Sequence, residues 1–74
     1  MPRPIPLRLV LKTLIKNLFF LVRQKGSHAR YEKTVNQKTF KVTVNVSKKE
    51  IPHGTFQSIL LQSGLKESDF REKN

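Results

Sequence analysis

The sequence predicts an α+β fold: a three-stranded antiparallel sheet with two helices on one face. Three observations predict it. Residues 7–18 carry apolar side chains at helical spacing, Phe40, Val42, Val44 and Val46 alternate with polar residues at strand spacing, and residues 55–63 return to helical spacing. At 74 residues the chain has room for one domain, 1–74, with a small core.

Pro2, Pro4 and Pro6 hold residues 1–6 extended. From Leu7 onward, Val10, Leu11, Leu14, Ile15 and Leu18 follow the i, i+3, i+4 rule, while Arg8, Lys12 and Lys16 recur along a separate stripe. This is an amphipathic helix with one cationic face, stopping near Asn17, Leu18 and Phe19, where bulky residues cluster. Residues 20–25 read as a strand, Gly26 supplies a turn, and residues 27–33 read as a second strand. Alternation puts His28, Arg30 and Glu32 on one face of that strand and Ala29, Tyr31 and Lys33 on the other. Asn36, Gln37 and Lys38 make the next turn, before the third strand around Phe40–Val46.

Residues 47–54 form a polar loop containing Pro52 and Gly54. Thr55 is the expected N-cap of a second helix through Ser63, with Phe56, Ile59 and Leu60 as its apolar stripe. Gly64 suits the C′ position, and Leu65 the apolar contact that accompanies it. Phe70 is expected to dock a short last turn, leaving 71–74 as a frayed tail. Phe19, Phe20, Phe40 and Phe56 are assigned to the core. The order helix–strand–strand–strand–helix is shared with double-stranded-RNA-binding domains, although a topology alone hosts many activities.

Fifteen Lys+Arg stand against five Asp+Glu, for a net charge of +10, and there is no cysteine. A disulfide framework, a thiolate metal site and a cysteine nucleophile are therefore excluded. So few carboxylates predict neither a metal centre nor a carboxylate dyad, and no cofactor is expected. Residues 1–50 hold twelve Lys/Arg and two Glu, whereas residues 51–74 hold three of each sign. Such a basic front portion is the footprint of a polyanion partner, through phosphate neutralisation. The same charge also fits a solvated surface or a face for an acidic protein. The longest apolar run is residues 18–22, and Arg8, Lys12 and Lys16 interrupt residues 7–22, so neither a membrane span nor a secretory signal is predicted. The basic start is not Ser-rich as a transit peptide would be, no membrane partner is expected, and the lack of cysteine fits a reducing compartment.

The segment Arg23-Gln24-Lys25-Gly26-Ser27-His28 carries the chemistry. Gly26 permits a tight turn, letting the backbone at Ser27 and His28 approach a ligand closely. Arg23, Lys25 and Arg30 surround the imidazole with positive charge. A lone histidine is more often structural, and the Gly-Ser step and the cationic field are what favour catalysis here.

This segment, followed by a short strand, resembles the signature of the HicA family of toxin ribonucleases. Gly54-Thr55-Phe56-Gln57-Ser58-Ile59-Leu60, then Gln62-Ser63-Gly64-Leu65, is similar to that family's second signature. The similarity extends from about Leu7 to Phe70. The resemblance implies a cytoplasmic, metal-independent mRNA interferase of a type II toxin–antitoxin system. Its fold would be that of a double-stranded-RNA-binding domain, and a cognate acidic HicB antitoxin would neutralise it. It also implies that His28 is catalytic and that Gly26 and Ser27 shape the site. Two departures stand out. Leu18-Phe19 replaces a Gly-aromatic step, and Val44-Asn45-Val46-Ser47 replaces Val-Pro-x-His, so Ser47 stands where many relatives have a second His.

RNA carries its own nucleophile, the 2′-hydroxyl, so a proton acceptor and charge stabilisation suffice for cleavage. His28 suits the first role, and Arg23, Lys25 or Arg30 the second. Lys12 and Lys16 either track phosphates or form a solvated helix face. Lys48 and Lys49 read as a solvated loop, His53 as a surface residue, and Tyr31 as packed rather than base-stacking. The rival readings are a catalytically inactive RNA-binding module of the same fold and a basic protein-interaction domain.

Overall fold

The computed structural model describes residues 4–71. Of the expected terminal segments, residues 1–3 and 72–74 lie outside the described residues. The elements are β1 (Ile5–Pro6), α1 (Leu7–Lys16), β2 (Phe20–Lys25), β3 (His28–Val35), β4 (Lys38–Asn45), β5 (Glu50–Ile51), α2 (His53–Ser63) and a 3₁₀ turn at Glu67–Phe70. The main sheet is antiparallel in the order β2-β3-β4, and β1 pairs with β5 in a separate two-stranded ribbon. The main sheet and its two helices form the expected α+β arrangement of the double-stranded-RNA-binding type.

Both helices bury their apolar faces on one side of this sheet. Val10 and Leu14 of α1, Phe56 and Ile59 of α2, and Ala29, Tyr31, Val42 and Val44 of the strands share one core with Phe19, Ile51 and Phe70. The Phe56 and Phe70 rings meet edge to face with centroids 5.2 Å apart, so the short last turn is held by an aromatic contact. Tyr31 is buried, as its alternation with Ala29 predicts.

Several local features differ from the sequence reading. The helix α2 starts at His53, two residues before Thr55, because Pro52 at φ −59° occupies the N-cap and its carbonyl accepts the Phe56 N–H at 2.9 Å. The second strand runs on to Val35, and only Asn36 and Gln37, at φ 50° and 69°, make the turn. Lys38 is already paired with Val35, giving the two-residue hairpin in which both turn residues take positive φ. The ribbon β1–β5 was not expected, since two-residue strands are too short to show a period. Ile15 and Leu18, expected on the buried stripe, are exposed, and Leu18 lies beyond the end of α1 at positive φ, off the helical period.

The end of α1 shows how the chain turns without a glycine. Leu18 takes φ 70°, its N–H donates to the Ile15 carbonyl at 3.0 Å, and the Phe19 N–H donates to the Leu14 carbonyl at 2.9 Å. These are the paired bonds of a Schellman motif, with Leu in the left-handed position that usually takes Gly. Phe19 and Leu14 supply its apolar contact, and both are fully buried.

Candidate functional site

The hairpin β2–β3 builds the site. Gly26, at φ 58°, opens a two-residue turn that sets Lys25 directly opposite His28, as a hairpin with Gly at its first turn position requires. Gln24 Nε2 donates to the Gly26 carbonyl at 3.2 Å. The Val46 N–H donates to the Ser27 carbonyl at 2.7 Å, which ties the turn to the end of β4. His28 therefore begins the central strand with Lys25 on one side and Asn45 on the other.

Ala29 and Tyr31 point into the core, so His28, Arg30 and Glu32 point to the opposite, helix-free face. Register brings Arg23 and Thr43 to either side of Arg30 on that same face. Arg23, Lys25, His28, Arg30 and Thr43 line a shallow depression of about 130 Å³. Directly opposed side chains have Cβ atoms about 4.5–5.5 Å apart. Only Lys25 stands directly opposite His28, while Arg23 and Arg30 oppose each other further along the strands, so three cations and one exposed imidazole share a depression whose lining has no carboxylate. Thr43 was not singled out in the sequence, although its outward place between Lys41 and Asn45 in the alternation marks it.

A one-residue register shift between Leu21 and Arg23 makes a β-bulge at Val22. Strict alternation from Arg23 would turn Phe20 toward the helices, the side to which its residue type also assigns it. The bulge reverses this. Phe20 pairs with Glu32 and stands on the open face, 62% exposed. Of the other three phenylalanines assigned to the core, Phe19 and Phe56 are fully buried and Phe40 is half-buried.

Lys12 and Lys16 are not brought to His28. With Leu9, Thr13, Asn17, Ser68, Asp69 and Arg71 they line a separate cleft of about 290 Å³ between α1 and the 3₁₀ turn. Gly26 and Ser27 adjoin the depression as the turn that aims His28. His53 is half-buried at the start of α2 rather than in a loop, with Nε2 3.3 Å from Gln57 Nε2. Ser47 follows β4 beside the Ser27 turn, and its hydroxyl donates to Asn45 Oδ1 at 2.7 Å. Among the described residues no three His, Cys, Asp or Glu side chains gather as a metal site, and no helix is long and apolar enough to cross a membrane.

The sheet order, the two helices on one face and the cationic hairpin end define a small α+β domain of the double-stranded-RNA-binding type. Residues 8–65 match the family described as the HicA toxin of bacterial toxin–antitoxin systems. The match covers well over half of the chain, and the protein belongs to the HicA toxin family. It is thus the toxin of a toxin–antitoxin system, which implies an antitoxin partner. No curated protein matches the chain.

Proposed function

We propose that the protein is a metal-independent endoribonuclease that cleaves mRNA in the cytoplasm, with His28 as its catalytic residue, and that an acidic HicB-type antitoxin restrains it. One observation carries this reading: an exposed imidazole in a depression lined by Arg23, Lys25 and Arg30. A phosphodiester seated on these cations lies beside the imidazole. His28 takes the proton of the 2′-hydroxyl as its oxygen bonds to phosphorus. The bond from phosphorus to the 5′-oxygen then breaks, that oxygen takes a proton from water, and a 2′,3′-cyclic phosphate remains. Arg23, Lys25 and Arg30 stabilise the extra negative charge on the phosphorane. Lys12 and Lys16, in their own cleft, hold a second stretch of phosphate backbone.

The test is purified protein with RNA in excess EDTA. Cleavage should persist, DNA should remain intact, and His28→Ala should lose about 10²- to 10⁴-fold in rate. Cleavage that vanishes in EDTA or survives in the variant refutes the mechanism. One observation favours an RNA-binding module without activity: Ser47 stands beside the Ser27 turn where many relatives have a second His, and its hydroxyl is engaged with Asn45. RNA binding by the wild-type chain without any cleavage decides for that module.

A further inference from the structure

The open face has two chemically different ends. Toward the β2–β3 turn it carries Lys25, His28, Arg23 and Arg30. At the other end Phe20 lies opposite Glu32, and Glu32 lies opposite Lys41. Phe20 is a large apolar ring held out of the core by the Val22 bulge, on an edge strand whose six residues are all exposed. Folding alone does not account for an aromatic ring in that position. Glu32, the one carboxylate that strand alternation places on this face of β2, β3 and β4, repels phosphate from its surroundings and accepts hydrogen bonds from amino and imino groups. An aromatic plane beside a lone acceptor, next to a phosphate-attracting patch, has the chemistry that takes up an unpaired base.

We propose that Phe20 and Glu32 form a nucleobase subsite on the RNA-binding face. An unpaired base stacks on the phenyl ring, and the strand's phosphates run toward Arg23, Arg30 and Lys25. Glu32 and His28 are four residues apart on β3, which at strand rise is about 13 Å. The bound base therefore belongs to a nucleotide displaced from the scissile bond and not to the one being cut. The carboxylate favours bases that present N–H groups on the Watson–Crick edge, and uracil, with a single imino N–H flanked by carbonyls, is the weakest of the four. This subsite rests on the reading that the open face binds RNA, but not on cleavage.

The experiment uses the full chain and a single-stranded RNA oligonucleotide carrying 2′-O-methyl groups, which cannot be cut. Affinity is measured for the parent oligonucleotide and for a series with one abasic site moved along it. Loss of one base should weaken binding by about 5- to 150-fold at one position, the range that base–aromatic stacking represents. Phe20→Leu should erase that positional dependence, Phe20→Tyr should retain it, and Glu32→Gln should change which base is preferred there. Binding that is indifferent to every abasic position, or unchanged in Phe20→Leu, overturns the subsite while leaving RNA binding intact. Absence of RNA binding at low salt overturns the functional reading as well. Circular dichroism of each variant separates these results from loss of fold.

Discussion

Gly64→Ala tests how the second helix is seated on the sheet. Gly64 ends α2 at φ 72°, and a Cβ built there would lie 2.8 Å from Phe40 Cε2. The left-handed backbone alone costs an L-residue about 1–2 kcal/mol, offset by about 0.4–1 kcal/mol of reduced unfolded-state entropy. The contact adds an overpacking cost of about 1–3 kcal/mol, because the half-buried Phe40 ring gives way only in part. The sum is a loss of about 1–4.5 kcal/mol, centred on about 3, and each kcal/mol lowers the melting temperature by about 4–8 °C in a domain of this size. Gly26→Ala is the matched control, since Gly26 has φ 58° but nothing within 4 Å of its built Cβ. It should lose about 1.6 kcal/mol or less. Urea unfolding of Gly64→Ala, Phe40→Leu and the double variant measures the clash as a coupling energy. Equal losses for the two glycine variants, or no coupling with Phe40→Leu, would refute the steric account.

Phe70→Ala removes a buried ring and the edge-to-face partner of Phe56, so it should lose about 3–5 kcal/mol and leave the domain largely unfolded by circular dichroism at room temperature. Lys25→Gln and Arg30→Gln should each weaken RNA binding across sequences. Each should also reduce the slope of log affinity against log salt by about 0.7 for a single-stranded ligand, read by fluorescence anisotropy. Lys12→Gln combined with Lys16→Gln should weaken binding of long RNA but leave cleavage of a dinucleotide unchanged, because their cleft does not adjoin His28. A fall in dinucleotide cleavage would show that the two regions act as one.

The regular parts of the fold are legible because local periods report them. Alternation in residues 40–46 identifies β4 and its buried Val42 and Val44, and the i, i+4 stripe identifies α1 and its buried Val10 and Leu14. The Gly26 turn and the outward place of His28 and Arg30 follow from alternation across one hairpin. Phe20 was misplaced because residue type alone assigned it to the core, whereas a single bulge inverts every side chain beyond it and turns the ring outward. Thr55 was read as a cap on its side-chain chemistry, whereas the conformation of Pro52 puts the cap three residues earlier. The ribbon joining Ile5 to Ile51 is a long-range pairing of two short segments, which no local window contains.

By itself the sequence determined that the positive charge sits in the first fifty residues, that the elements run helix–strand–strand–strand–helix, and that one imidazole follows a glycine turn among cations. These are properties of near neighbours along the chain. Only the tertiary structure decided that Arg23 and Thr43 flank Arg30, that Lys12 and Lys16 occupy a different cleft, and that Phe20 faces outward beside Glu32. Those facts depend on strand register, on one bulge and on which sheet face the helices cover. Each is set by packing between segments far apart in sequence, and together they turn a cationic stretch into a face with a phosphate end and an aromatic end.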